Sequence, residues 1–277
     1  MSTGIQWTEE TWNPTTGCDR ISPGCDNCYA LTMAKRLKGM GQAKYQTDGD
    51  PRTSGPGFGL AVHPDSLDAP LHWRKPRMTF VDSMSDLFHA RVPEPFIGGV
   101  WNTMALTERH TYQVLTKRSP RMRRVLTKWA DAGWYWRKED LVWCGPIPGP
   151  LLNVWLGTSI ESARYIRRAD DLRETPAAVR FLSLEPLIGP LPSLSFEGID
   201  WAIIGGESGK GARPLDLGWV RELVARGQDA GTAMFVKQLG SCWAHGRSKH
   251  DHGGDWDDWP ADLRVREYPN RAEVSAA

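Results

Sequence analysis

The chain has 277 residues, enough to bury the core of one large α/β domain or of two smaller ones. Its 34 Lys and Arg nearly balance its 33 Asp and Glu, so the net charge of +1 creates no global field that would attract nucleic acid or a membrane. No apolar run reaches the roughly 20 residues of a membrane-spanning helix, and the N-terminus lacks the basic and apolar regions of an export signal, so we expect neither.

Short apolar runs alternate with longer stretches of helical periodicity along most of the chain. A first strand is predicted near Thr11–Pro14, before a cysteine-bearing loop, and a helix over Tyr29–Lys38 after it. Six further strands are predicted at Met78–Ser83, Tyr112–Lys117, Asn153–Thr158, Arg180–Leu184, Trp201–Gly205 and Met234–Gln238. Helices are predicted between them at Phe96–Thr107, Pro120–Ala132, Ser162–Arg173 and Gly218–Ala230. Continuous apolar strands separated by helices are typical of a parallel sheet covered by helices.

The repeated strand–loop–helix order indicates an α/β fold with parallel strands. We expect a partial or complete (β/α) TIM-like barrel, with an open sheet as the alternative. Two irregular stretches interrupt the order: 41–64, interpreted as an insertion or a lid, and 134–150, which holds three Trp residues. A polar extension covers 241–277. Because no repeat or linker divides the sequence, we expect a single domain over 1–277.

Three of the five cysteines lie within eleven residues, at Cys18, Cys25 and Cys28, in the pattern C-x6-C-x2-C. Thiolates are soft ligands that suit zinc or iron–sulfur clusters. A structural zinc site normally has four protein ligands, whereas three thiolates leave one iron of a [4Fe–4S] cluster open to a small molecule. We therefore predict a catalytic cluster on these residues. The alternative is a zinc site completed by a distant histidine such as His250 or His252.

The cysteine usage also indicates the compartment. An odd number of cysteines, three of them clustered, argues against a disulfide framework and favours a reducing cytoplasm. Cys144 and Cys242 are interpreted as ordinary thiols outside the ligand set.

Polar residues follow nearly every predicted strand at its carboxyl end. In a βα barrel, functional groups collect on the loops at these ends. The segments are Ser83–His89, Thr116–Arg118, Gly157–Glu161, Ser183–Pro186, Gly205–Gly209 and Lys237–Gln238. A polar cluster at each strand end indicates an enzyme.

Several motifs, spread over nearly the whole chain, carry a resemblance to a known family: Trp12–Cys18, Ser83–His89, Leu115–Arg118, Gly205–Gly209 and Trp259–Glu267. On these motifs the chain resembles the radical S-adenosylmethionine superfamily, and within it a phage-associated branch of poorly defined function. The resemblance implies a βα barrel, a [4Fe–4S] cluster on the three cysteines, and S-adenosyl-L-methionine bound to the fourth iron through its amino and carboxylate groups. Reductive cleavage, with electrons from an external donor, would give a 5′-deoxyadenosyl radical that abstracts hydrogen from a substrate.

Two features depart from the superfamily pattern. Its usual spacing is C-x3-C-x2-C with an aromatic residue before the last cysteine, whereas here six residues separate the first pair and Tyr29 follows Cys28. Its Gly-Gly-Glu motif follows the second strand, whereas Gly205–Glu207 follows the sixth predicted strand. We therefore assign the contact with the methionyl amino group to Ser83 and Asp86, and the late glycines to packing near adenine.

The candidate site residues follow from these assignments. Predicted cofactor contacts are Ser83, Asp86, Ser159, Glu185, Gly205, Gly206 and Glu207. Candidate catalytic residues are His89, Lys117 and Lys237. The alternatives are a turn cap for the histidine, a solvated rim for the lysines and paired charges for the two glutamates.

The predicted function is that of a radical S-adenosylmethionine enzyme in the cytoplasm of a phage's bacterial host. Family context suggests an isomerase that rearranges an amino-acid adduct on a thymine base during DNA hypermodification; a nucleotide is the alternative substrate. Phosphate contacts are assigned to Lys117, Arg118, Arg121, Arg123 and Arg124, and base stacking to Trp134, Trp136 and Trp143. For Arg121, Arg123 and Arg124 the alternative is an exposed helix face. A zinc-stabilised nucleic-acid-binding protein without catalysis is the alternative from another class.

Overall fold

A computed structural model of the chain describes residues 4–132, 149–247 and 252–270. The strands in these ranges are β1 Glu10–Trp12, β2 Thr15–Thr16, β3 Ala61–Val62, β4 Met78–Val81, β5 Thr111–Thr116, β6 Val154–Ser159, β7 Val179–Leu184, β8 Trp201–Gly205 and β9 Ala233–Gln238. The α-helices are α1 Tyr29–Gly39, α2 Glu94–Leu106, α3 Ser119–Asp131, α4 Arg167–Arg173, α5 Leu217–Asp229 and α6 Ser241–Ala244.

Seven of the strands form one sheet in the order β1-β4-β5-β6-β7-β8-β9. The pairs β1–β4, β4–β5, β7–β8 and β8–β9 all run parallel. This confirms the mixed α/β class and the parallel strands. No helix in the described ranges is both long and apolar enough to cross a membrane.

The described chain divides into two compact units. The first unit comprises Met1–Ile21, Ala30–Leu156 and Glu174–Ala178, and the second comprises Ser22–Tyr29, Gly157–Arg173 and Val179–Ala277. Each unit has its own buried apolar residues.

In the first unit, α2 packs one apolar face into the core. Ile97, Val100, Trp101 and Met104 are buried at the i, i+3, i+4, i+7 spacing of a single helix face. Complete burial of a large apolar side chain contributes about 1.5–3 kcal/mol relative to exposure. Trp101 also contacts Trp129 of α3 edge to face, with ring centroids 5.8 Å apart. These contacts fix the two helices that follow β4 and β5.

In the second unit, α5 packs against β9. The side chain of Asp216 accepts a hydrogen bond from the Gly218 N–H at 2.7 Å and caps the helix, as its sequence position suggests. A Cβ on Gly227 would lie 2.1 Å from the sulfur of Met234 on β9. A larger residue at this position would therefore have to displace the buried Met234 side chain. The helix buries Val220, Leu223 and Val224.

The predicted elements agree with the structure to within two residues at most ends, with one correction. The predicted helix Ser162–Arg173 is wrong at its start: Ser162 has an extended backbone, a 3₁₀ turn occupies Ala163–Tyr165, and α4 begins only at Arg167. The strand predicted near Thr11–Pro14 is β1 at Glu10–Trp12, and it is followed by the short strand β2, which pairs antiparallel with β3. Proline interrupts the segment between β1 and β2 because it has no N–H to donate.

The 41–64 stretch and the 241–277 extension have structural roles that the sequence did not reveal. The 41–64 stretch, predicted as an insertion or lid, contains β3 and packs on the cysteine loop, where the Arg20 N–H donates to the Thr53 carbonyl at 3.0 Å. The 241–277 extension is polar overall, yet Trp259 and Leu263 are buried. The guanidinium of Arg266 lies over the ring of Trp256, 4.5 Å from its centroid. Most of the 134–150 stretch lies outside the described residues.

Candidate functional site

The cysteine loop follows β2 and leads into α1, with a 3₁₀ turn at Pro23–Cys25. Its three thiols, Cys18, Cys25 and Cys28, are half-buried. The first compact unit ends at Ile21 along this loop, so Cys18 belongs to the first unit and the other two cysteines to the second.

In the first unit, the backbone of Gly17 fixes the residue before Cys18. Gly17 has a positive φ of 81°, and a Cβ there would lie 2.2 Å from the carbonyl oxygen of Gly59, so only glycine fits. The Gly17 N–H donates to the Met84 carbonyl at 3.0 Å, and the Ser85 hydroxyl donates to the Gly17 carbonyl at 2.6 Å. The segment that follows β4 therefore fixes the backbone position from which Cys18 continues.

Asp19, the residue after Cys18, is the most heavily hydrogen-bonded carboxylate of this unit. Oδ1 accepts from the hydroxyls of Thr53 at 2.8 Å and Ser54 at 3.1 Å, and Oδ2 accepts from His89 at 2.9 Å and Arg91 at 3.2 Å. Partial burial alone would raise the pKa of Asp19, but the bonds from Thr53, His89 and Ser54 outweigh it and lower the pKa to about 2. Asp19 is therefore ionised at neutral pH.

His89, a candidate catalytic residue, has both ring nitrogens engaged. Nδ1 accepts the Arg91 N–H at 3.2 Å, so Nε2 carries the proton that it donates to Asp19. Burial, with a further contribution from the nearby Arg118 cation, lowers the pKa of His89, which favours the neutral ring. In this structure His89 caps a turn and positions Asp19.

The guanidinium of Arg118 also lies beside Cys18 and Asp19. Its Nη2 lies 4.0 Å from Sγ of Cys18 and donates to the Asp19 carbonyl at 3.2 Å. Its Nε lies 3.9 Å from Oδ2 of Asp86. The predicted assignment of Arg118 to substrate phosphate therefore competes with contacts inside the protein.

Asp86 and Ser83, the predicted contacts for the methionyl amino group, form hydrogen bonds within the first unit. Asp86 Oδ1 accepts from the Phe88 N–H at 3.0 Å and the Thr116 hydroxyl at 2.7 Å, and Oδ2 accepts the Lys117 N–H at 3.1 Å. The Ser83 hydroxyl donates to Oδ1 of Asn13 at 3.1 Å. These contacts join the ends of β1, β4 and β5.

Asp82 is a buried carboxyl that sequence reasoning missed. It follows β4 with a positive φ of 58°, which only a few residue types other than glycine adopt readily. Oδ1 accepts the Thr15 N–H at 2.9 Å, whereas Oδ2 has no hydrogen-bond partner among the described residues. Burial raises the pKa of Asp82 to about 8, because the hydrogen bond from Thr15 offsets only part of the desolvation.

In the second unit, Glu161 supports the turn before Cys25. This side chain is fully buried; it accepts from the Gly24 N–H at 3.4 Å and from Arg168 at 2.9 Å. Arg168 also donates to the carbonyl of Ser159, a predicted cofactor contact that is itself buried. Glu161, which follows β6, thereby holds the Pro23–Cys25 turn through the Gly24 N–H, and Arg168 holds Glu161 in place through an ion pair.

Glu207, another predicted cofactor contact, holds the segment around Cys28. Oε2 accepts from Nδ2 of Asn27 and from both the backbone N–H and Nε of Arg213, each at 2.9 Å, and Oε1 accepts from Nη2 of Arg213. Arg213 also donates to the Pro23 carbonyl at 2.8 Å. Burial would raise the pKa of Glu207, but the hydrogen bonds from Arg213 and Asn27 lower it, so the carboxylate is ionised.

Glu185 and Lys237, predicted as a cofactor contact and a candidate catalytic residue, form an ion pair. Nζ of Lys237 donates to both carboxylate oxygens of Glu185, at 2.7 and 2.9 Å, and Gln238 donates to Oε1 at 3.1 Å. Gly205 lies beneath Glu185, since a Cβ there would be 3.1 Å from that side chain. A Cβ on Gly206 would lie 2.7 Å from the Leu239 carbonyl, so Gly206 is explained by contact with backbone.

The predicted basic and aromatic contacts for nucleic acid are only partly available. Arg121 donates to the carbonyls of His89 and Val92, and Arg123 pairs with Glu174. Arg124 is exposed and Lys117 is half-buried. Trp134, Trp136, Trp143, Cys144 and His250 lie outside the described residues.

Within each unit, side chains that follow the strands form hydrogen bonds with part of the cysteine loop. In the first unit Ser85, His89 and Arg118 contact the residues on either side of Cys18. In the second unit Glu161 and Glu207 contact the turn that carries Cys25 and Cys28. Among the described residues, no three His, Cys, Asp or Glu side chains are arranged so that they could hold a metal ion.

Sequence reasoning missed Asp19, Asp82, Arg168 and Arg213. Asp19 could have been suspected from its position beside a predicted ligand. Arg213 carries no such signal, because its partner at Pro23 is 190 residues away along the chain.

Comparison with known proteins gives the family. No curated protein and no solved structure matches the chain. A family model described as "Protein of unknown function (DUF5131)" matches residues 2–262, nearly the whole chain. The chain therefore belongs to the DUF5131 family.

Proposed function

We propose that this chain is a radical S-adenosylmethionine enzyme whose [4Fe–4S] cluster is held by Cys18, Cys25 and Cys28. The observation that carries the proposal is the support of the cysteine loop. Strand-end side chains hold the neighbours of all three thiols, although the loop has little regular secondary structure. An irregular loop held by buried carboxylates is expected where ligands must be preorganised.

The donor set fits this cofactor by its chemistry. Three half-buried thiols on one loop supply soft ligands for three irons and leave the fourth for the amino and carboxylate groups of S-adenosyl-L-methionine. When bound and reduced by an external donor, the cluster would supply the electron for cleavage of the sulfonium. The proposal includes a partial (β/α) TIM-like barrel and a cytoplasmic location, both of which suit an oxygen-sensitive cofactor.

The chain's own residues would bind and orient the cofactor. Ser83, Asp86, Ser159, Glu185 and Glu207 are the proposed polar contacts, with Gly205 and Gly206 near the adenine. Glu185 differs from the others because its main partner is the flexible ammonium of Lys237, which can move as a ligand arrives. Asp86 would act chiefly by holding the turn after β5, and Glu207 by holding the cysteine loop, since each carboxylate already accepts at least three hydrogen bonds from the protein.

For the substrate, we propose a modified thymine base in phage DNA, rearranged by an isomerase step. The chain is nearly neutral, so phosphate binding depends on a local basic patch. Lys117 and exposed Arg124 are the basic side chains near the end of β5 that are best placed for it, because Arg118, Arg121 and Arg123 have partners in the protein.

The direct test is anaerobic incubation with a reductant and S-adenosyl-L-methionine, followed by mass spectrometry for 5′-deoxyadenosine. We expect its formation without substrate and an increase on addition of the correct nucleic acid. A colourless protein that purifies with zinc and forms no 5′-deoxyadenosine would instead indicate a zinc-stabilised binding module.

The substrate is tested separately by the double variant Lys117→Glu with Arg124→Glu. It should weaken DNA binding and reduce its salt dependence while substrate-free 5′-deoxyadenosine formation persists. If the unmodified protein binds no DNA even at low salt, a free nucleotide replaces DNA as the proposed substrate.

A further inference from the structure

Arg118 is the cation that lies against the first proposed cluster ligand. Its side chain is 17% exposed, and one guanidinium nitrogen lies 4.0 Å from Sγ of Cys18, within the range of an N–H···S hydrogen bond. The same nitrogen donates to the Asp19 carbonyl, the next backbone oxygen along the loop. The contact is therefore directed at the ligand position and does not belong to a general basic surface.

The backbone holds this guanidinium in place. The Arg118 N–H donates to the Thr116 hydroxyl at 2.8 Å, and that hydroxyl donates to Asp86. Asp86 also accepts the Lys117 N–H, so one carboxylate fixes the whole turn between β5 and α3. The side chain of Arg118 consequently leaves a hydrogen-bonded turn, and most of it is buried.

The charge of Arg118 is incompletely matched inside the protein. Its Nε is buried and has no hydrogen-bond partner among the described residues, with Oδ2 of Asp86 3.9 Å away. The oxygens of Asp86 already accept hydrogen bonds from Phe88, Thr116 and Lys117. A partly buried cation in this position stabilises negative charge at its neighbour more strongly than an exposed one does.

We propose that Arg118 raises the reduction potential of the cluster by stabilising the negative charge on the Cys18 side. This inference rests on the proposed function. The step concerned is the transfer of one electron from an external low-potential donor to the cluster, with no bond formed or broken and no proton moved. The reduced cluster carries one more negative charge than the oxidised one. Hydrogen bonds and nearby positive charge at a ligating sulfur therefore favour reduction.

The test is a redox titration of the full-length, anaerobically reconstituted protein, followed by electron paramagnetic resonance. In Arg118→Gln we expect the reduction equilibrium to shift towards the oxidised cluster by about tenfold, which is about 59 mV for a one-electron couple. Arg118→Lys keeps the charge without the planar fork and should show a smaller shift. Arg91→Gln is the matched control, because Arg91 is more exposed and contacts the Asp19 carboxylate.

Each outcome supports or overturns the inference. Full iron content with an unchanged potential in Arg118→Gln overturns it and leaves the proposed function standing. An equal shift in Arg91→Gln also overturns it, because any positive charge near the loop would then suffice. Loss of iron in both Arg118 variants would assign the residue to folding of the Cys18 segment, against the tuning role. Absence of iron in the unmodified protein would refute the proposed function itself.

Discussion

The substitution Asp82→Asn should abolish a large pH dependence of stability. Asp82 is buried at the end of β4, with a pKa of about 8 against an ordinary value of 3.8. The native state therefore binds this proton more tightly than the unfolded state does. Its contribution to stability is complete below about pH 4, falls as the pH rises towards 8, and is constant above that. A difference of about four pKa units corresponds to roughly 5 kcal/mol, at about 1.36 kcal/mol per unit.

Asparagine is the appropriate replacement at this position. It tolerates the left-handed backbone of Asp82, whose φ is 58°, and its Oδ1 can still accept the Thr15 N–H. Its amide replaces Oδ2 and could donate to the buried Thr15 hydroxyl; in the part of the chain that the structure describes, neither atom has a hydrogen-bond partner. We expect nearly equal stability of the two proteins at pH 4 and a more stable variant at pH 8.

The assay is urea unfolding of both proteins at intervals between pH 4 and 8. Comparison of the two free energies removes the contributions of other groups, such as the buried His89, whose lowered pKa gives the opposite slope. Asp65→Asn, at an exposed carboxylate of the same unit, is the control and should follow the unmodified protein. Parallel curves for the unmodified protein and Asp82→Asn would refute the reasoning.

Three further variants test separate contacts. Glu207→Gln should lower the free energy of unfolding by about 3 kcal/mol, because Arg213 loses its ionised partner in a mostly buried site. Urea unfolding measures this difference, and an unchanged free energy would contradict a stabilising role for the pair. Gly227→Ala should lower the free energy of unfolding by about 1–3 kcal/mol through overpacking against β9. The control Gly39→Ala, with no atom within 4 Å of the new methyl group, should be neutral or stabilising. Equal losses of stability in the two variants would argue against the close contact at Gly227. Glu185→Gln should weaken S-adenosyl-L-methionine binding to the reconstituted protein at least tenfold by calorimetry, and an unchanged affinity would remove Glu185 from the cofactor contacts.

The strands were predictable because a buried parallel strand gives a continuous run of apolar residues in the sequence. Trp201–Gly205 is apolar throughout, and β8 has those bounds, with every residue buried. Helix ends that carry a side-chain cap were equally predictable, as at Asp216 before α5. The start of α4 was not predictable, because the helical periodicity of 162–173 does not mark the extended backbone at Ser162 or the 3₁₀ turn that follows it.

The positions of ionisable groups in the candidate site were predictable, but the partners of these groups were not. Sequence placed ionisable groups at the strand ends correctly, as with Glu185, Glu207 and Lys237. It assigned the first two to a cofactor, whereas in the structure Glu185 pairs with Lys237 and Glu207 binds Asn27 and Arg213. Such pairings depend on residues that are distant in the chain and close in the fold. Periodicity and motif spacing do not encode them.

The central claim is tested most directly by the iron and sulfide content of anaerobically reconstituted protein. The account predicts about four iron atoms and four sulfides per chain in the unmodified protein and in Cys242→Ala. Iron should be lost when Cys18, Cys25 or Cys28 is replaced by alanine. A chain that binds one zinc and no iron, or that keeps full iron after any of these three replacements, would contradict the proposed ligand set.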